Sequence, residues 1–277
     1  MLCACGIAES GLLDGGFAPD GSTVDAHVES GSDVLVLGDG ATPADAGPDV
    51  PAIDAAALCA AECADAGGTC LDGGACRFDC TAPGACTDSI TCPPQIPCVI
   101  DCGYDSCTKS LDCTASSECA VHCTGDYSCH DPISCAGTKC DVECTGYNAC
   151  SDDVSCDAGT CTVDCKTDTS CSKKVDCSGG TCDVECLGYG SCADDVTCNA
   201  TTSCMVDCHG GTACGGNVTG ASNASTLCCT GFGACNGAVS CSGTACDPYC
   251  KPNYNTCSGG SSCTASACDA SAAPCPP

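Results

Sequence analysis

Tryptophan is absent from this 277-residue chain, and only 3 phenylalanines and 6 tyrosines are present. A core built around large aromatic rings is therefore excluded. Cations are nearly as scarce, with 7 Lys and Arg against 36 Asp and Glu and a net charge of −29. That balance repels phosphates and argues against nucleic acid as a partner. No apolar run approaches the roughly 20 residues of a membrane-spanning helix, which leaves a lipid anchor as the only route to a membrane. A nucleophile elbow and a phosphate-binding loop are also missing. Because His209 falls several repeats away from His122 and His130, and those two sit on different parts of their coil, the expectation is a protein without catalysis.

What the chain has instead is 42 cysteines. Their spacing decides their chemistry. Zinc sites favour C-x2-C pairs, often with histidine, and no such pair occurs in the sequence. The lone C-x-C (Cys3, Cys5) and the lone C-C (Cys228, Cys229) exclude metallothionein-like clustering. Disulfides remain, and they imply an oxidising, extracytoplasmic compartment.

From Cys76 to Cys214 the cysteines keep a fixed beat, clearest where residues 140–160 read CDVECTGYNACSDDVSCDAGT, 161–181 CTVDCKTDTSCSKKVDCSGGT and 182–203 CDVECLGYGSCADDVTCNATTS. Repeats of this length mean stacked arrays. With the four cysteines of a unit named a, b, c and d, units start at Cys76, Cys98, Cys119, Cys140, Cys161, Cys182, Cys204, Cys246 and Cys268. One start is lost between 204 and 246, and Cys59, Cys63 and Cys70 read as a degenerate first unit.

Between a and b, polar and apolar residues alternate with the period of a strand that buries one face. The inner column runs Phe78, Ile100, Val121, Val142, Val163, Val184, Val206, Leu227, and a second precedes d: Ile90, Leu111, Ile133, Val154, Val175, Val196, Val218, Val239. Gly103, Gly125, Gly146, Gly188, Gly210 and Gly231 follow b, where a positive φ or a crowded corner suits glycine. Two short strands and their corners close a coil that stacks on the next at about 4.8 Å. The expected fold is all-β, a disulfide-rich β-solenoid of about ten 21–22-residue coils over residues 59–277. A string of independent disulfide knots is disfavoured because it would give the valine columns nothing to pack on.

Cysteines a and b lie about 13 Å apart on one strand, too far to bridge. Two schemes remain: b to c with d to the next a, or a to c with b to d across the core. In the damaged unit Gly220 replaces d and Ser225 replaces the next a, a joint loss that favours the first scheme. The predicted bridges are Cys123–Cys129, Cys135–Cys140, Cys144–Cys150, Cys156–Cys161, Cys165–Cys171, Cys177–Cys182, Cys186–Cys192 and Cys198–Cys204.

Outward positions form ladders. The column before b holds Asp79, Asp101, His122, Glu143, Asp164, Glu185 and Asp207, and stacked carboxylates repel by about 1 kcal/mol per pair even in water. Ca²⁺ bound by these carboxylates is one relief; a solvated acidic face is the other. A second ladder places Lys173 and Lys174 between Asp152, Asp153 and Asp194, Asp195, predicting inter-coil ion pairs. Along one corner, Tyr104, Tyr147, Tyr189, Phe232 and Tyr254 form a row suited to a glycan or a protein surface.

Residues 1–5 contain Leu2-Cys3-Ala4-Cys5, which resembles a bacterial lipobox, and residues 6–58 form a cysteine-free stretch rich in Gly, Ala, Asp and Pro, expected to be a disordered acidic tether. A lipobox-like Cys5, an acidic tether and a cysteine-rich repeat together resemble surface lipoproteins of myxobacteria and related soil bacteria. The resemblance implies lipidation at Cys5 and an extracellular or outer-membrane location. Insect antifreeze proteins are likewise small disulfide-braced β-solenoids, but Asp112 and Asp176 interrupt the Thr and Ser rungs that a flat ice-matching face requires. The expected function is a surface-displayed rod with a structural or adhesive role, with Ca²⁺-dependent binding and ice binding as alternatives.

Overall fold

In the computed structural model, the residues described are 55–251, 256–263 and 267–268. The lipobox-like Cys5 and most of the tether lie outside them, as does Tyr254. The described residues all belong to a compact unit spanning Pro51–Pro277.

The described residues open with helix α1 (Ala55–Asp65), followed by strands β1 (Thr69–Cys70), β2 (Cys76–Cys80), β3 (Ile90–Thr91), β4 (Cys98–Cys102), β5 (Leu111–Cys113) and β6 (Glu118–Cys123). Longer strands then follow, β7 (Ile133–Cys144), β8 (Val154–Cys165), β9 (Val175–Cys186), β10 (Val196–Cys208), β11 (Val218–Cys229) and β12 (Val239–Cys250), with β13 (Ser261–Cys263) and β14 (Ala267–Cys268) last. Each a-to-b strand pairs in parallel with that of the next coil, Cys140 against Cys161 and Cys161 against Cys182. The fold is an in-register, parallel β-solenoid. The extra residue of the 22-residue coil is absorbed by a register shift between Ala200 and Ser203.

Both apolar columns are buried, with Val121, Val142, Val163, Val184 and Val206 fully so. Fully burying one such side chain contributes about 1.5 to 3 kcal/mol. The column exists only because coils lie above and below.

Two elements differ from the sequence reading. Cys59 and Cys63 are not part of a first coil: they lie four apart on α1, within the stretch AAALCAAECAD. Alanine is the strongest helix former, and the i, i+4 spacing puts both thiols on one face, where they bridge to Cys70 and Cys76. The helix packs on β1 and β2, so the end of the stack carries a cap of the kind repeat arrays need. Residues 55–58, assigned to the tether, belong to this helix.

The second difference concerns the strands. From β7 to β12 the strand before d and the next a-to-b strand merge into one bent run of 12 or 13 residues. Hydrogen bonding continues through the corner, and positive φ at Gly137, Gly179 and Gly243 bends it. In the early coils Pro93, Pro94 and Pro97 occupy this connection; lacking N–H groups, they cannot ladder.

Candidate functional site

The cysteines build two columns of bridges. Nine clasp b to c, from Cys80–Cys86 to Cys250–Cys257. Seven join d to the next a, from Cys92–Cys98 to Cys241–Cys246. All eight pairs named from the sequence are bridged, with Cα atoms 5.9 to 6.1 Å apart. Stacking brings the sulfurs of Cys102, Cys123 and Cys129 within 4.8 Å of one another. Each is held in a disulfide, so none is a thiolate donor for a metal.

In the interrupted rung, Gly220 and Ser225 sit opposite Cys198 and Cys204 on one side and Cys241 and Cys246 on the other. The space left by the missing bridge is filled from within. A Cβ at Gly220 would meet Leu227 Cδ2 at 3.0 Å, and Leu227 is the larger residue in a column of valines. Ser222 and Ser225 share a buried hydrogen bond of 2.9 Å. Beside this rung lies an open hollow of about 380 Å³, lined by Asn199, Thr201, Asn223 and Ser242 among others. Cys228 takes the outward position that carboxylates hold in other coils; it is buried and disulfide-bonded.

The carboxylate column stacks as the 21-residue register requires, Asp79 against Asp101, then His122, Glu143, Asp164, Glu185 and Asp207. Much of its repulsion is relieved by the chain itself. Asp101 accepts from Arg77 Nε at 2.7 Å and pairs with His122 Nδ1 at 2.8 Å. Lys166 donates to Asp164 at 2.6 Å and lies 3.8 Å from Glu143, and these contacts hold its pKa up. Asp79 accepts from the hydroxyl and amide of Thr81, which lower its pKa.

Toward β10 this relief runs out. Asp183, in the neighbouring outward column and missed by the sequence reading, joins Glu185 and Asp207 on one face. Asp183 Oδ1 and Asp207 Oδ1 are buried without a hydrogen-bond partner. Burial first, then the charges of Glu185, Asp164 and Asp207, push the Asp183 carboxyl from 3.8 up to about 6. Burial raises Asp207 as well. Alternation along the strand is the signal that could have found Asp183: it sits two residues before Glu185, on the same outer face.

The lysine ladder is corrected. Strand register places Lys174 between Asp153 and Asp195, whose charges raise its pKa after a larger contribution from Asp176. Its ammonium donates to Asp176 at 2.7 Å. None of the described ion pairs joins Lys173 or Lys174 to Asp152, Asp153, Asp194 or Asp195. Asp153 and Asp195 instead accept backbone N–H groups from Lys174 and Asn217 in the next coil. A short carboxylate capping a backbone donor needs no lysine side chain to be immobilised, and exposed pairs repay such ordering poorly.

The corner between b and c carries the aromatic row. Here the residue two before c takes a left-handed conformation, at Asp105, Tyr127, Asn148, Thr169 and Thr212. Its amide thereby points up the stack, Tyr127 to Tyr147 O and Thr169 to Tyr189 O, while neighbouring amides point down. The glycines that follow b serve the crowded-corner role, and none of the six has a positive φ. A Cβ on Gly188 would collide with the Thr167 carbonyl.

On this scaffold Tyr104, Tyr147, Tyr189 and Phe232 stand exposed, the last two by 62% and 67%. Tyr127, absent from the sequence-derived row because it lies one residue further along, joins it. It packs edge-on to Tyr104 (6.4 Å) and Tyr147 (5.7 Å). Asp126 and Asp168 alternate with the tyrosines, each accepting the amide of the tyrosine above, Tyr147 and Tyr189, at 2.9 Å.

The three described histidines each bond to a neighbouring coil. His130 lies 3.1 Å from Ser151 Oγ and 3.9 Å from Asp105, an order that resembles a catalytic relay. Ser151 Oγ also reaches the His130 carbonyl, and Ser172 Oγ reaches the Ser151 carbonyl in the same way. The contacts therefore belong to a side-chain-to-backbone ladder that recurs where no histidine is present.

These features define a capped β-solenoid with two disulfide ladders and one aromatic edge. Comparisons with protein-family models, curated proteins and solved structures found no match.

Proposed function

We propose that the chain is an extracytoplasmic, non-catalytic rod with a structural or adhesive role, displayed at the cell surface and offering its aromatic edge to a partner. The observation that carries this reading is the pair of disulfide ladders along the stack, because such bridges form and persist where the surroundings are oxidising. Lipidation at Cys5 would anchor the rod. Thiol labelling and surface biotinylation of intact cells test the proposal. Cysteines that react only after reduction, together with biotin on exposed Lys109 and Lys173, are expected; free thiols and unlabelled lysines would overturn it.

A second reading rests on the unpartnered oxygens of Asp183 and Asp207. Together with Glu185 they supply hard oxygen ligands of the kind Ca²⁺ takes. Titration calorimetry with Ca²⁺ should give heat that is lost in Asp183→Asn with Asp207→Asn. No heat and no change in melting temperature would remove this reading and leave the plain rod.

A further inference from the structure

Tyr104, Asp126, Tyr147, Asp168 and Tyr189 occupy one column of successive coils, so rings and carboxylates alternate along the rod axis. With coils about 4.8 Å apart, like groups recur every two coils, about 9.6 Å. Asp126 and Asp168 each spend Oδ1 on a backbone amide, and Oδ2 has no hydrogen-bond partner among the described residues. No Lys or Arg occupies the corner residues 103–107, 125–129, 146–150, 167–171 or 188–192. Lys166, two residues before Asp168 in the chain, is committed to Asp164.

An edge of exposed rings interleaved with unneutralised carboxylates selects cations, through cation–π attraction and ion pairing together. Its spacing selects a backbone. A polyproline II helix turns every three residues with a rise of about 3.1 Å, so side chains three apart recur at about 9.3 Å. A β-strand repeats on one face at about 6.6 Å, out of step with the corner. Proline-rich segments also dock on aromatic surfaces without a large ordering cost.

We propose that the corner from Tyr104 to Tyr189 binds a cationic polyproline II segment, with Lys or Arg at every third position reaching Asp126 and Asp168 and prolines lying on the tyrosine rings. This rests on the reading of the rod as a binding scaffold and names the chemistry of its partner. The site spans four coil steps, about 19 Å, or roughly two polyproline turns.

The test is fluorescence anisotropy on the purified, oxidised protein with a labelled peptide of four Pro-Pro-Lys repeats. The comparison peptides are Pro-Pro-Glu repeats and a proline-free Gly-Ser-Lys peptide of equal charge; neutral chitin and cellulose hexaoses complete the set. Saturable binding of the Pro-Pro-Lys peptide is expected, at least tenfold tighter than the Gly-Ser-Lys peptide. It should weaken roughly tenfold in Asp126→Asn with Asp168→Asn and in Tyr147→Ala with Tyr189→Ala. Retained disulfide pairing, mapped on each variant, separates lost binding from lost fold; Tyr189→Phe should keep affinity. Equal binding of both cationic peptides, insensitivity to the tyrosine pair, or binding of a hexaose alone would overturn the proposal. None of these outcomes bears on cell-surface display, which the labelling experiment tests separately.

Discussion

An outward carboxylate in a parallel stack meets its own kind about 4.8 Å above and below, and what each residue does with that repulsion differs along the column. Asp101 has Arg77 and His122 on either side of it, whereas Asp183 has only acids nearby. A carboxyl whose pKa rises on folding holds its proton more tightly in the native state. Its ionisation therefore costs stability that is intact below the unfolded pKa and lost as pH climbs. For Asp183 that window runs from 3.8 to about 6. Replacing it with Asn should stabilise the protein at pH 7 by about 1 kcal/mol, after allowance for solvent screening of a half-exposed group. At pH 3 the same change should be neutral. Guanidinium unfolding at the two pH values checks this; an equal gain at both would show that charge is not the cause. The outward column was legible because the register is strict. Which of its members had a cation in reach was not, since Lys166 comes from a turn position outside the column.

At the scale of the element, the corner shows why two glycines in one turn are not equivalent. Gly188 has an ordinary φ but no room, its missing Cβ facing the carbonyl of Thr167 in the previous coil. Gly190 has φ +65° and room, with nothing nearer than 3.8 Å. Gly188→Ala should cost about 3 kcal/mol or more, since backbone of two coils must part. Gly190→Ala should cost about 1 kcal/mol, the strain of a left-handed alanine. Comparing their melting temperatures checks the ranking, and the reverse order would contradict the described corner. The sequence pattern located Gly188 without saying which constraint acted, because a positive φ and a crowded corner select the same residue. Helix α1 was hidden for a related reason: Cys59 and Cys63 share the four-residue spacing of an a-to-b strand, and only the alanines between them favour the helix.

The interrupted rung offers a constructive test at the same scale. Gly220→Cys with Ser225→Cys should form the missing bridge when Leu227→Val clears the space, and should raise stability by roughly 2 kcal/mol for so short a loop. Without the Leu227 change the gain should shrink or vanish, because the added sulfur meets the leucine methyls. Intact mass and melting temperature of the two variants decide it. A bridge that forms equally well with Leu227 in place would show that the leucine is not compensating for the lost pair.

For the molecule as a whole, the beat of the cysteines carried the architecture because every coil solves the same packing problem with the same residues. Val142, Val163 and Val184 each cover the valine below, and the bridges on either side fix the turns. The aromatic edge was only partly legible. Tyr104, Tyr147 and Tyr189 declared themselves by period, but Tyr127 joins them from an adjacent position through the left-handed turn, a conformation that its identity does not announce. Everything proposed for this edge depends on the coil being closed by local clasps. The most direct measurement is disulfide mapping of the non-reduced protein across one complete coil. Fragments joining Cys144 to Cys150 and Cys156 to Cys161 are the predicted result, and a Cys144 to Cys156 fragment, bridging the core, would contradict it.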